Sequence, residues 1–440
     1  MLQLSVSDPV QQADGLNKFT SYKVNTNTDL PQFAYSNYAV IRRYSDFLWL
    51  ATQLASEFAG AIIPPLPEKQ AVSRFNSEFV EHRRTQLEKF LQRVAVHPEL
   101  MGAVSFANFL QADDITFTSM KNAGSSSSTS DGKPPKSTGA GVMKWFAETK
   151  TSITHTMGKE DLVKSAFDDQ IDEITTYVAN LENQMKNVVQ HTSGLVKKGK
   201  ETANGLFEFG LAFTLLGQAE QDELGKALTH MGQAADTLSV LSAEHAERES
   251  TKFEYPLIDY IRLISSVKSA LAKRQEKRIT YSTCVNDLES KRSSLNKLQG
   301  TPGKEDKVLL AESAVNQSEE ALEISKVDFE TVSARVLKEV ARFKKEKAAD
   351  MKTCVMDYIT LQIQYNKKME LIWEEMIPNL EIGGGGDGGG NNMNNSDDGS
   401  GGGGGGGDSG RTVRTNSELA SSSSKNKDPP TPASEDLVGV

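Results

Sequence analysis

Apolar positions in the first 114 residues fall into short alternating runs and then into helical spacing. Leu2, Leu4 and Val6 alternate with polar neighbours, and Phe19-Thr20-Ser21-Tyr22-Lys23-Val24 reads as a second strand. Asp14-Gly15 between them is a turn signal. Residues 37–41 predict a third strand, which runs into Arg42-Arg43-Tyr44-Ser45-Asp46-Phe47. From there Phe47, Leu50, Leu54 and Phe58 recur at helical spacing, with Ser45 as the candidate N-cap. Pro64-Pro65-Leu66-Pro67-Glu68-Lys69 predicts an extended polyproline path, and taken alone it also fits an exposed SH3 ligand. A second helix is expected over 77–96, stopped by His97-Pro98. Its apolar stripe is Phe79, Leu87, Phe90, Leu91 and Val94; Arg83 falls inside that arc and Arg84 at its edge.

Residues 159–381 carry three much longer helical patterns. Ile171, Ile174, Val178, Leu181, Met185 and Val188, preceded by Val163 and Phe167, follow spacings close to a heptad seam that continues to about 216. A second pattern runs over 224–298 and a third over 304–377. In the third, Val332, Val336, Val340 and Phe343 form one stripe, and Met351, Val355, Tyr358, Leu361 and Tyr365 another. A helix of roughly 70 residues is on the order of 105 Å long, so these must pack side by side as an elongated bundle. Pro256 lies inside the second pattern and predicts a bend. Five glycines, at 194, 199, 205, 210 and 217, thin out the first pattern, and the sequence offers no physical account of them.

Composition narrows the function. The net charge is −10, which argues against nucleic acid as a partner. Residues 382–440 hold eight acids against four bases in a Gly-, Asn- and Ser-rich tail expected to be disordered. Cys284 and Cys354 fall in helical stretches, consistent with a reducing compartment, and no apolar run is long enough for a bilayer span. A cytoplasmic, peripheral protein is the expectation. Histidines are scattered, no serine or cysteine sits in a nucleophile motif, and neither an enzyme nor a cofactor is implied.

The candidate chemistry is anion binding. A strand-to-helix handover beside arginines brings free backbone N–H groups and fixed positive charge together, and a buried arginine such as Arg83 calls for an anion or an internal carboxylate. The alternative at Arg42 and Arg43 is a surface strand with solvated side chains. Residues 115–140 turn to Ser, Gly, Lys and Pro, as in a flexible linker. Over 141–157, Val142 and Phe146 share a helical face flanked by Trp145; this segment fits either a bilayer interface or the first packing of the following bundle. Basic clusters at Lys197/Lys198/Lys200, Lys273/Arg274/Lys277/Arg278, Lys291/Arg292/Lys297 and Arg342/Lys344/Lys345/Lys347 are either membrane-facing or solvated.

Three motifs in order resemble the phox-homology (PX) domain: Arg42-Arg43-Tyr44-Ser45-Asp46-Phe47, Pro64-Pro65-Leu66-Pro67-Glu68-Lys69, and Phe79-Val80-Glu81-His82-Arg83-Arg84 leading to Leu87-Glu88-Lys89-Phe90. With the long helices behind them, including Tyr260-Ile261-Arg262-Leu263 and the run 337–347, the chain resembles the PX-BAR sorting nexins. The resemblance implies an α+β PX domain (1–114) with a three-stranded antiparallel sheet and an all-α, three-helix BAR domain (158–381) that dimerises, with itself or with another PX-BAR protein. It further implies binding of phosphatidylinositol 3-phosphate on the cytosolic face of early endosomes, curvature sensing or tubulation, and retromer-linked retrograde transport with retromer cargo-recognition subunits as partners. Arg43 would hold the 3-phosphate, Tyr44 would pack on the inositol ring, Lys69 would meet the 1-phosphate and Arg83 the ring hydroxyls. Val72 and Phe75, just past the proline segment, would dip into lipid. The competing reading keeps lipid targeting but makes the helices a straight scaffold that recruits partners.

Overall fold

The computed structural model describes residues 2–14, 17–69, 76–125, 162–220, 222–299 and 305–381. Val72 and Phe75, the 141–157 segment with Val142, Trp145 and Phe146, and the 382–440 tail lie outside the described residues. Met1–Gly385 forms one compact unit.

Strands β1 (Leu2–Asp14), β2 (Asn17–Thr28) and β3 (Asn37–Arg43) make an antiparallel sheet in the order β1-β2-β3. Val6, Tyr22, Val24 and Val40 are buried against helices α1 (Tyr44–Glu57), α2 (Ser77–Val96) and α3 (Val104–Gln111), where Phe47, Leu87, Phe90, Leu91, Phe106 and Phe109 complete the core. The bounds of α2 follow from its ends. The Asn76 side chain accepts from the Glu78 backbone N–H at 2.9 Å, and His97 is held extended (ψ 130°) by the proline after it.

Two expectations are corrected here. The N-cap of α1 is Arg43, not Ser45: the Asp46 carboxylate, at the third helical position, accepts from the Arg43 backbone N–H at 2.9 Å and so starts the helix earlier. A further helix, α4 (Asp114–Ser125), occupies the start of the expected linker. Phe117 buries itself there against Trp49, 5.0 Å between ring centroids, and ion pairs of Asp114 with Arg42 and Lys121 with Asp46 tie the helix to the domain.

The remainder is a bundle of α5 (Asp168–Ala219), α6 (Glu223–Glu249), α7 (Tyr255–Leu298) and α8 (Glu305–Glu381). At 77 residues α8 is about 115 Å long. Ile171, Ile174, Val178, Met185, Val267, Val332, Val336, Val340 and Phe343 form its core, whereas Phe167 and Val188 of the expected seam are exposed. In the second stripe of α8 the expectation is half right: Leu361 is buried, Val355 is exposed, and Cys354 takes the inward position.

Pro256 does not break the helix. A π turn, Ser250–Glu254, joins α6 to α7 directly before it. The proline ring would crowd the carbonyl of Lys252 in an α-helical path, and the wider π turn relieves this. The Cys354 Sγ lies 4.0 Å from the Lys252 carbonyl oxygen and 3.9 Å from that of Phe253, covering groups the ladder leaves open.

Two of the five glycines, Gly210 and Gly217, acquire a reason, whereas a Cβ on Gly194 or Gly205 would meet nothing within 4 Å. A Cβ on Gly232 would stand 2.8 Å from the Gly210 carbonyl oxygen, and one on Gly217 would stand 2.6 Å from that of Gly225. Ser239 donates to the Ala203 carbonyl at 2.8 Å in the same seam. Small residues seven apart let α5 and α6 touch backbone to backbone.

Candidate functional site

Alternation along β3 separates the two arginines. Arg42 is 1 % exposed and points inward, donating to the carbonyls of Phe109 (3.1 Å), Ile41 (2.9 Å) and Ala112 and to Asp114 (3.2 Å), with its guanidinium 4.1 Å from the Phe117 ring centroid. It is a structural clasp, not one of a pair of anion ligands. Arg43 points the other way. Its side chain is 49 % exposed at the N-terminus of α1, 5.5 Å over the Phe19 ring, and its nearest carboxylate oxygen is that of Asp46 at 3.8 Å. Lys121 of α4 pairs with the same carboxylate, which keeps Asp46 from fully neutralising Arg43.

Tyr44 and Arg83 meet. The Arg83 guanidinium carbon lies 4.8 Å from the Tyr44 ring centroid and 4.3 Å from that of Phe79, and the residue is 8 % exposed. Its Nη2 donates to the Glu68 carbonyl at 3.0 Å, and the Tyr44 hydroxyl donates to the Pro67 carbonyl at 2.6 Å. These two bonds bind the proline segment to the site. Pro64 and Pro67 are buried, so the segment is not presented as an SH3 ligand. Lys69 follows it and is exposed. Burial raises the Tyr44 phenol pKa, against the pull of the Arg83 and Arg262 charges; burial likewise raises Tyr22, whose hydroxyl faces Arg83. Arg84, at the edge of the stripe, is turned aside to the Val6 carbonyl (2.6 Å) and Glu88 (3.1 Å).

The structure therefore joins Tyr44, Arg83 and the backbone of Pro67 and Glu68 by direct contacts, with Arg43 exposed beside Tyr44 at the N-terminus of α1 and Lys69 exposed at the end of the proline segment. Phe19 and Lys121 were missed by sequence reasoning, since each reaches the site from a distant segment. Asp46 was not singled out either, because a cap at Ser45 would have made it the first helical residue instead of the third.

The domain is also fastened to the bundle. Glu339 of α8 is 1 % exposed and accepts from the Ile62 backbone N–H (3.0 Å), His97 Nε2 (2.9 Å) and Arg342 (2.8 Å). His97 Nδ1 accepts from the Glu99 and Leu100 N–H groups at 3.2 and 3.1 Å, which leaves Nε2 as the nitrogen that donates to Glu339. Burial alone would raise the Glu339 pKa; the hydrogen bonds from His97, Arg342 and Ile62 outweigh it and hold the carboxyl near about 2. Arg335 donates to Glu99 and to the Ala59 carbonyl, both at 2.8 Å. Gly60, at φ +87°, lies where a Cβ would come within 2.9 Å of Val332. On the other side Asp259 of α7 pairs with Lys89 (2.7 Å) and Arg93 (2.6 Å).

These contacts account for several of the basic residues. Arg274 is 2 % exposed and paired with Asp168 at 2.7 Å, Lys277 with Asp328 at 2.7 Å, and Arg342 with Glu339 and Glu346. Among the described residues no helix is long and apolar enough to cross a membrane, and no cluster fits a metal ion.

An α+β domain locked to a long helical bundle defines the class of architecture, and comparison with known proteins gives it a family. The family described as Vps5 C terminal like matches residues 145–379, and the PX domain family matches 30–113. Sorting nexin 1 of Arabidopsis thaliana is 33 % identical over 383 residues, covering 86 % of this chain and 92 % of that protein. Sorting nexin-2 of Bos taurus is 29 % identical over 390 residues, covering 86 % and 72 %. The SNX-BAR Mvp1 tetramer, solved by cryo-electron microscopy, shares the fold with a TM-score of 0.62 at 16 % identity, over 85 % of this chain and 99 % of that one. The chain belongs to the PX-BAR sorting nexins. Members are non-enzymatic, peripheral membrane adaptors that bind phosphoinositide membranes, dimerise and act in endosomal sorting and membrane remodelling.

Proposed function

We propose that this chain reads phosphatidylinositol 3-phosphate on the cytosolic face of early endosomes and, as a dimer with itself or another PX-BAR protein, senses or drives tubule curvature in retromer-linked retrograde transport. The domains would divide as a phosphoinositide-binding module over 1–114 and a dimerising, curved bundle over 158–381. Arg43 takes the 3-phosphate, Tyr44 packs on the inositol ring, Lys69 meets the 1-phosphate and Arg83 the ring hydroxyls. The observation that carries this reading is the half-exposed Arg43 at a helix N-terminus, one residue from a Tyr44 ring already braced by Arg83. Dimerisation is supported by the large apolar side chains left exposed on α5, α6 and α8, among them Phe207, Leu211, Leu215, Val240, Ile359 and Ile363.

The test is flotation of the full chain with vesicles containing or lacking phosphatidylinositol 3-phosphate. Arg43→Gln removes a charge-assisted phosphate contact and lowers lipid-dependent binding about tenfold or more. Its melting temperature stays unchanged, because among the described residues the side chain's contacts are the 3.8 Å ion pair with Asp46 and the Phe19 ring. Undiminished binding by that variant refutes the assignment.

A further inference from the structure

Helix α4 is anchored against α1 and β3 by Phe117. This buried ring has the Trp49 and Phe109 rings 5.0 and 5.9 Å away, centroid to centroid, and the Arg42 guanidinium 4.1 Å from its own centroid. Asp114, in the first turn of α4, pairs with the same guanidinium at 3.2 Å. Lys121 lies four residues after Phe117, one turn on along the same helical face. Its side chain is 21 % exposed, and its ammonium group pairs with Oδ1 of Asp46, a carboxylate only 10 % exposed. The two oxygens of Asp46 are thus divided. Oδ2 accepts from the Arg43 backbone N–H at 2.9 Å and caps α1. Oδ1 stands 3.8 Å from the Arg43 Nε and is held more closely by Lys121. A phosphate that binds Arg43 has to compete with this carboxylate, and an unneutralised carboxylate would also repel it.

We propose that Lys121 is a positioning residue for headgroup recognition: by holding Oδ1 of Asp46 it leaves the Arg43 guanidinium free for a phosphate. The proposal rests on the Arg43 reading given above. It deepens that reading, because the affinity of the site then depends on a helix that follows the rest of the α+β domain in the chain. Lys121 acts through Asp46 without touching the headgroup. Arg42 cannot do the same work, since its guanidinium is buried and spent on Asp114 and on the carbonyls of Ile41, Phe109 and Ala112. The Phe117 anchor makes the pair effective. With α4 already docked, little further freedom is lost when Lys121 pairs, and the partly buried carboxylate is neutralised more fully than one on the open surface.

The experiment is isothermal titration of the full chain with water-soluble dibutanoyl phosphatidylinositol 3-phosphate. Wild type is compared with Lys121→Met, Lys121→Arg, Asp46→Asn, the Lys121→Met/Asp46→Asn double variant and Arg43→Gln. Lys121→Met should weaken binding about fivefold, the upper end of what one partly exposed ion pair is worth. Lys121→Arg should keep most of the wild-type affinity. Asp46→Asn retains an oxygen to cap α1 and removes the competing charge, so in that background Lys121→Met should change the affinity less than about twofold. A role in packing alone would not show this coupling. The same fivefold loss in the Asp46→Asn background would make Lys121 a direct headgroup ligand and overturn the proposal. Equal losses in Lys121→Met and Lys121→Arg, accompanied by lowered melting temperatures, would make it a clasp for α4 and also overturn it. Wild-type affinity in Lys121→Met, with binding lost in Arg43→Gln, overturns the Lys121 assignment and leaves the site reading intact. Wild-type affinity in Arg43→Gln overturns the site reading itself, and the proposal with it.

Discussion

Glu339→Ala is the most informative perturbation of the junction between the two parts. In the wild type this carboxylate, 1 % exposed, holds the Ile62 N–H at 3.0 Å and the His97 Nε2–H at 2.9 Å. Truncation leaves both donors buried and unpaired, at about 1–3 kcal/mol each, while Arg342 keeps its bond to Glu346. A separate route gives a similar size. A carboxyl held near about 2 instead of 4.5 corresponds to about 3 kcal/mol at neutral pH. The sign follows from a depressed carboxylate: the contribution is complete above pH 4.5 and is lost as the pH falls from 4.5 toward about 2. The assay is urea unfolding of wild type and Glu339→Ala at several pH values, with hydrogen exchange at the Ile62 amide. The variant should lose about 3 kcal/mol at neutral pH, its Ile62 amide should exchange about a hundredfold faster, and the difference should shrink on acidification. An unchanged midpoint with a still-protected Ile62 amide would refute the claim that Glu339 holds the junction.

Two further outcomes probe the bundle. Gly232→Ala places a methyl 2.8 Å from the Gly210 carbonyl oxygen, a backbone atom that cannot step aside, and should cost about 1–3 kcal/mol in thermal or urea unfolding. Ile363→Asp puts a charge on the exposed apolar face shared with Ile359 and should shift the dimer toward monomer in sedimentation, with little change in helical content.

The parts of this molecule that could be read from the chain are those whose signals are local. Asn76 and His97-Pro98 set both ends of α2, and the helical period placed Arg83 inside its apolar arc, where it is indeed buried. Strand alternation contained the separation of Arg42 from Arg43, although the pair reads as one basic motif until the sheet direction is known. What was not legible depends on segments far apart in sequence. Glu339 looks like one acid among lysines until Ile62 and His97 close over it. Gly210 and Gly217 of α5 only make sense once Gly232 and Gly225 face them from α6.

Under the proposed function, with the α+β domain fixed to the bundle, headgroup recognition and membrane contacts of the bundle would act together, so that two modest affinities multiply. The direct test is electron microscopy of liposomes with and without phosphatidylinositol 3-phosphate, mixed with wild type or Arg43→Gln. Tubules of uniform width that require the lipid and disappear in the variant are the predicted result. Lipid-dependent coating without tubules would contradict it and make the helices a straight scaffold, and tubules that ignore Arg43 would contradict the site assignment.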